Sequence, residues 1–301
     1  LADRLGFAEA GYFSLASDIG LRLFPVLASM LEIVLLREVI RLDETRGRIA
    51  AQKRIARNMV PVLACVLLAW HGPIAQPAHY HDFADQQMCY GIAHFADVVS
   101  NVGFALVALW GWWQLRPAVG RQSLRYGWAG YRLFLMGLFL TALGSAYYHL
   151  APDNQRLVWD RLPIALLCAG LLAGVWGDVW KKSSRLMALG LGVAAVCSVG
   201  WWHVTEQAGA GDLRPYLLLQ GLPLVLIPVW QWAHGAPRAD RLAFAGAVLL
   251  YVLAKFAELA DHQIAAITGG LTGHTAKHLL ATVAAALIVA RLVQIGRASC
   301  R

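Results

Sequence analysis

Charged residues are scarce in this 301-residue chain: they make up 15% of it, whereas soluble domains carry roughly 25%. Cysteine is also sparse, with five residues and no Cys-x-x-Cys pair, which argues against a disulfide framework. The low charge and the 58% share of hydrophobic residues exclude the disordered, collagen-like and disulfide-rich classes. The composition indicates a single polytopic membrane protein.

The formal net charge of +8 does not indicate nucleic-acid binding. The chain has no basic stripe with interleaved aromatic residues. Its basic residues lie in loops between apolar segments, where positive charge sets membrane orientation. We therefore expect membrane lipids and no nucleic acid among its partners, and the sequence leaves the oligomeric state open.

Seven hydrophobic runs are each long enough to cross the roughly 30 Å of hydrocarbon in a bilayer. All should be helices, because open strands cannot span lipid. The predicted fold class is therefore all-α, a seven-transmembrane helix bundle with an extra N-terminal hydrophobic segment. The predicted spans cover about 92–113, 131–150, 158–178, 185–203, 215–233, 241–261 and 274–294.

The two ends of the chain differ from the predicted seven-helix domain, residues 79–294. Residues 1–58 mix charge with moderate apolar content and are interpreted as an amphipathic or artefactual extension. Residues 59–78 contain a short apolar run that follows basic residues, as in a signal peptide or an extra membrane anchor. Residues 295–301 are interpreted as a non-native tail.

Loop charge predicts the orientation of the bundle. Basic residues concentrate in every second loop, which the positive-inside rule assigns to the cytoplasm. The end of the second span and the start of the seventh are then expected at the non-cytoplasmic face. The basic residues of these loops are Arg116, Arg121, Arg125, Lys181, Lys182, Arg185, Arg238 and Arg241.

Three histidines are predicted at one membrane depth and form a candidate metal site. His149 ends the second span, while His274 and His278 open the seventh. A spacing of four places His274 and His278 on one helix face. Three protein ligands with a fourth position for water is the pattern of catalytic zinc. Zinc is the expected ion, and iron and nickel remain open.

Two further polar residues, Ser145 and Asp160, fall at the same predicted depth. Ser145 lies one turn before His149, where it either packs between helices or polarises a substrate carbonyl. Asp160 either orients a ligand histidine, acts as a general base, or forms a salt bridge with a neighbouring arginine.

Other polar residues near this depth are candidates for lining a cavity. Ionisable groups in a membrane span are costly and usually functional, but an ion pair of Lys255 with Glu258 and helix packing are the simpler alternatives. The candidates are Ser100 and Asn101 in the first span, and Glu258, Asp261 and His262 at the end of the sixth.

Ser145-x-x-x-His149, Asp160 eleven residues later and His274-x-x-x-His278 together resemble the motifs of the alkaline ceramidase family. The resemblance covers about residues 79–294 and extends to a superfamily that includes the progestin and adipoQ receptors. It implies a bacterial member in the inner membrane, with three zinc histidines and a catalytic serine and aspartate at these positions.

The resemblance implies an intramembrane zinc amidase that cleaves the N-acyl bond of ceramide or of another lipid amide. The entry segment departs from the family pattern: it reads Asp-Gln-Gln-Met-Cys-Tyr over residues 85–90, and His94 stands where an acid is expected. This departure argues against calcium binding. A seven-helix receptor or sensor with structural zinc, and a haem or transport protein, are the alternative functions.

Overall fold

The computed structural model describes residue 50 and residues 71–116 and 123–298. The chain divides into two compact units, Leu1–Met59 and Val60–Arg301, and the second is described here. The predicted extension 1–58 lies outside the described residues except for Ala50, as does the greater part of the predicted segment 59–78. The described helices are α1 (Phe95–Ser100), α2 (Val102–Leu115), α3 (Trp128–Leu150), α4 (Asn154–Trp180), α5 (Arg185–Gln207), α6 (Arg214–Ala233), α7 (Arg238–Leu259), α8 (Asp261–Thr268) and α9 (Gly273–Ala298).

Seven membrane-spanning segments confirm the predicted all-α bundle. The first span contains both α1 and α2, and runs from Phe95 to Leu115. The sixth span, predicted to end at about residue 261, ends at Leu259, and Asp261 begins the separate eight-residue helix α8. The helix α9 continues to Ala298, so the first residues of the predicted tail 295–301 are helical.

Local sequence explains where several helices begin and end. The Asp153 side chain accepts a hydrogen bond from the backbone N–H of Arg156, which caps the start of α4. Pro215 occupies the first turn of α6, where a backbone N–H has no partner within the helix, so the N–H that proline lacks is not needed. Gly269 ends α8 with a φ of 71°, a left-handed conformation that favours glycine.

The helix α4 lies at the centre of the bundle and packs against α3, α5 and α6. On the other side, α9 packs against α7 and α2. The contact between α6 and α7 is much smaller. Consecutive spans run in opposite directions, so the end of α3, the start of α4 and the start of α9 meet at one end of the bundle.

Two glycines allow unusually close helix contacts at this end. A Cβ atom on Gly144 of α3 would lie 1.9 Å from the backbone oxygen of Trp159 in α4. A Cβ atom on Gly273, which begins α9, would lie 2.1 Å from the backbone oxygen of Ala257 in α7. In both pairs, the backbones of the two helices are therefore in direct contact, which small residues permit in membrane bundles.

Candidate metal centre

The structure brings the three predicted ligand histidines together. One ring nitrogen from each of His149, His274 and His278 lies within 4.8 Å of the others. All three residues are buried. His149 comes from the last turn of α3, and the other two come from consecutive turns of α9. His149 and His274 are 125 residues apart in the chain, and helix packing brings them into contact.

The spacing of these nitrogens fits one metal ion. The Nε2 atoms of His149 and His274 lie 3.1 Å apart. Two ligands of one tetrahedral zinc ion, each at about 2.0–2.1 Å, lie about 3.4 Å apart. In residues 71–116 and 123–298, no fourth His, Cys, Asp or Glu joins this group. The centre could therefore hold a metal ion with three protein ligands.

Ser100 sets the orientation of His278. The Ser100 hydroxyl donates to the backbone oxygen of Asp97 at 3.0 Å and lies 2.8 Å from Nδ1 of His278. With its own proton committed to Asp97, the hydroxyl accepts a hydrogen bond from Nδ1–H. This tautomer leaves Nε2 of His278 free as a metal ligand, as expected when an outer hydrogen bond orients a ligating histidine.

Asp261 positions His274 through the backbone. One carboxylate oxygen of Asp261 accepts from the backbone N–H of His274 at 2.7 Å. The other accepts from the backbone N–H of Ala84 at 2.8 Å. Asp261 therefore caps the start of α9 and ties it to the segment that precedes α1.

The Phe83 ring covers two of the histidines. Its centroid lies 4.8 Å from that of His149 and 4.5 Å from that of His274, both in edge-to-face contact. Phe83 is itself buried. The segment before α1 therefore places an apolar surface against the histidines, and sequence reasoning missed this role because Phe83 belongs to no helical pattern.

Lys277 and Glu258 form a half-buried charged network beside His274. Lys277 donates to Glu258 at 2.7 Å, and its Nζ lies 3.0 Å from Nε2 of His274. Lys255 donates to the other carboxylate oxygen of Glu258 at 2.7 Å. The predicted ion pair of Lys255 and Glu258 is present. Sequence reasoning missed Lys277, although a lysine within a predicted span is itself a signal of function.

The polar residues of α1 bind it to α9. Thr275 donates to a carboxylate oxygen of Asp97 at 2.6 Å, and Thr272 donates to the same oxygen at 3.3 Å. The Asn101 side chain donates to the backbone oxygen of Asp97 at 2.7 Å. These contacts keep Ser100 next to His278.

A cavity of about 300 Å³ adjoins the histidine group at His278. Its polar wall includes Ser145, Asp160 and His278, and the carboxyl group of Asp160 interacts with the Ser145 hydroxyl. The remainder is largely apolar and is lined by six helices, with residues such as Phe104, Leu138, Ile164, Leu224, Val248 and Ala285.

The five residues predicted as cavity lining divide into two groups. Glu258 lines the cavity. Ser100, Asn101 and Asp261 do not, and instead support the histidines or α1 from behind. His262 is in α8, with 57% of its side chain exposed, and lies 3.8 Å from the Asp82 carboxylate. The break between α7 and α8 turns it away from the face of Glu258 that the sequence had predicted.

Comparison of the chain with protein-family models, with characterised proteins and with solved structures gives no significant match. The functional interpretation therefore depends on the site itself. The structure establishes a helical membrane bundle in which a buried group of three histidines could bind a metal ion.

Proposed function

We propose that this protein is a zinc-dependent hydrolase that cleaves lipid amides within the membrane. The observation that carries the proposal is the junction of three histidine nitrogens with a largely apolar cavity, at one end of a seven-span bundle. A metal centre beside a hydrocarbon-lined space suits a substrate that has one polar reactive group and a long acyl chain.

Three protein ligands favour a catalytic centre over a purely structural one. Structural zinc sites are usually closed by four protein ligands, whereas catalytic sites keep one position open. The described residues supply three ligands, all histidine. This ligand count is the reason to prefer a hydrolase to a receptor or sensor with structural zinc.

The residues around the cavity have distinct roles in this proposal. Bound zinc would supply a Lewis acid for the amide carbonyl and would lower the pKa of water. Asp160 accepts a proton from the attacking water and returns it to the departing amine, so that the C–N bond breaks with a neutral leaving group. The Ser145 hydroxyl donates a hydrogen bond to the carbonyl oxygen as negative charge develops there.

The cavity also indicates where the lipid enters. It extends from the histidine end along α3, α4, α6, α7 and α9. Of these, α6 and α7 make little contact with each other. The acyl chain lies among the helices in this proposal and enters from the bilayer between α6 and α7.

The sequence motifs support the same reaction. Ser145, Asp160 and the three histidines resemble, in order and spacing, the motif of the alkaline ceramidase family, whose members cleave the N-acyl bond of ceramide. The proposed substrate is ceramide or another lipid amide. The proposed location is the inner membrane of a bacterium, with the metal centre toward the non-cytoplasmic face, as loop charge predicts.

Metal analysis of the purified protein in detergent tests the proposal, with His278→Ala measured beside it. We expect about one zinc ion per chain in the wild type and its loss in the variant. Hydrolysis of lipid amides should require zinc and be absent from His278→Ala. A wild type that binds zinc but hydrolyses no lipid amide would favour the structural-zinc receptor, and haem absorbance would refute the zinc centre.

A further inference from the structure

Arg161 is a buried cation with no anionic partner among the described residues. The residue is 2% exposed and lines the same cavity as Ser145 and Asp160. Its Nε and Nη1 atoms are buried and have no hydrogen-bond partner. By contrast Arg156, one and a half turns earlier on α4, pairs with Asp153. Buried guanidinium groups are normally paired, because an isolated charge is costly away from water.

Aromatic rings surround the Arg161 guanidinium without using its N–H groups. Its central carbon lies 4.0 Å from the ring centroid of Trp202, 4.9 Å from that of Tyr80 and 5.5 Å from that of Tyr216. Rings stacked on the face of a guanidinium stabilise its charge and hold its plane in place. They leave the N–H donors at its edge available for a planar acceptor.

The two lysines of the cavity share one carboxylate. Lys255 and Lys277 both donate to Glu258. Asp160 precedes Arg161 in the chain and attracts it electrostatically, but its carboxyl group interacts with Ser145 and accepts no hydrogen bond from the buried Nε and Nη1 atoms of the arginine. The cavity wall thus carries three cations and two carboxylates. Arg161 is the cation whose Nε and Nη1 atoms donate to no carboxylate.

We propose that Arg161 binds an acidic group on the head of the lipid amide, and that the substrate class is therefore N-acyl amino acids. That the bound lipid is a substrate rests on the proposed amide hydrolysis. The anion-binding site itself depends only on Arg161. A guanidinium donates two parallel hydrogen bonds to a carboxylate, with a geometry that lysine cannot reproduce. Ceramide, whose head is neutral, would leave the guanidinium unpaired.

The position of Arg161 beside Asp160 favours a carboxylate close to the amide. The two residues are adjacent on α4 and line one cavity, so one substrate head can reach both. In an N-acyl α-amino acid, a single carbon atom separates the amide nitrogen from the carboxylate. The head of such a lipid therefore spans from Asp160 to Arg161.

Binding measurements with chelator present separate this proposal from hydrolysis. The full chain in detergent is dialysed against labelled N-palmitoylglycine and, in parallel, N-palmitoylethanolamine, which differ in the carboxylate but share the acyl chain and amide. Arg161→Gln, Arg161→Lys and the control Arg156→Gln are compared with the wild type. Arg161→Lys keeps the charge and provides a second test if Arg161→Gln does not fold.

We expect the wild type and Arg156→Gln to bind N-palmitoylglycine about tenfold more tightly than N-palmitoylethanolamine, as a charge-assisted hydrogen bond allows. Arg161→Gln should abolish that preference while binding N-palmitoylethanolamine as before, and Arg161→Lys should retain part of it. Equal wild-type affinity for the two lipids, or a preference that survives in Arg161→Gln, would overturn the anion site.

A third lipid, with a phosphate in place of the carboxylate, tests the choice of acid. Tighter Arg161-dependent binding of that lipid would overturn the assignment to N-acyl amino acids. The proposed function is refuted by a different result, namely that the zinc-loaded protein cleaves no lipid amide. A preference for the carboxylate, measured with chelator present, would still support the anion site in that case.

Discussion

The missing side chain of Gly144 brings α3 against the backbone oxygen of Trp159, where a Cβ atom would approach to 1.9 Å. Pro163 lies four residues after Trp159 and has no N–H to donate to that oxygen, so the oxygen is free to face α3. Ser145 follows Gly144, and Asp160 follows Trp159. This contact therefore helps to set the separation of the two proposed catalytic residues.

Gly144→Ala should destabilise the protein and impair the site, because the added methyl group meets backbone that cannot rotate away. Overpacking of this kind costs about 1–3 kcal/mol. Thermal unfolding in detergent measures the loss. Gly200→Ala on α5 is the control, because a Cβ atom there has nothing within 4 Å. Equal unfolding temperatures for the two variants would show that the helices do not approach so closely.

Ser100→Ala should weaken metal binding without removing a ligand, because His278 loses the hydroxyl that fixes its tautomer. Loss of such an outer hydrogen bond typically costs 10–100-fold in metal affinity or activity. Competition with a chromogenic zinc chelator measures the affinity. Ser198→Ala on α5, whose hydroxyl bonds only to the backbone oxygen of Ala195, should match the wild type. Unchanged affinity in Ser100→Ala would refute the orienting role.

Ser145→Ala and Asp160→Asn should lower kcat while zinc content stays at the wild-type level, because neither residue is a metal ligand in the proposed site. Removing one hydrogen-bond donor to a developing oxyanion costs about 10²–10³ in kcat. Removing a general base costs about 10²–10⁴. Zinc analysis and amide hydrolysis on the same preparation check both statements. Loss of zinc from Asp160→Asn would instead place Asp160 in the support of a histidine.

Asp212, in the loop between α5 and α6, should give the protein a specific sensitivity to acid. Burial raises the pKa of this carboxyl group, but hydrogen bonds from Arg214 and from the Trp201 indole outweigh burial and lower the pKa to about 2, from an ordinary value of 3.8. A pKa lower in the folded state means that this stabilisation is complete above pH 3.8 and is lost as the pH falls to about 2.

Asp212→Asn should therefore lower the unfolding temperature at neutral pH, and its difference from the wild type should shrink as the pH falls through that window. Thermal unfolding in detergent across the pH range checks this. Asp82→Asn, at an exposed carboxylate 3.8 Å from His262, should differ little from the wild type at any pH. A difference for Asp212→Asn that persists below pH 2 would contradict the assignment.

The length and hydropathy of the apolar runs were sufficient to predict the seven spans, because a bilayer stabilises each apolar helix independently of the others. Twenty apolar residues form a helix in lipid whatever their neighbours do. The separate helix α8 after the sixth span was not predicted, for a local reason. Ala260 separates α7 from α8, and the turn there depends on Asp261 reaching the backbone of His274, which hydropathy does not detect.

By itself, the sequence determined the class of the protein, the number of its membrane spans and the residue types that a metal centre needs. His274 and His278 share a face by helical spacing, and His149 could be placed at their depth because spans alternate in direction. Only the tertiary structure decided which side chains meet. The contact of His149 with His274, the support of His278 by Ser100 and the unpaired charge of Arg161 each depend on distances between helices, and those distances follow from close packing that no single segment encodes.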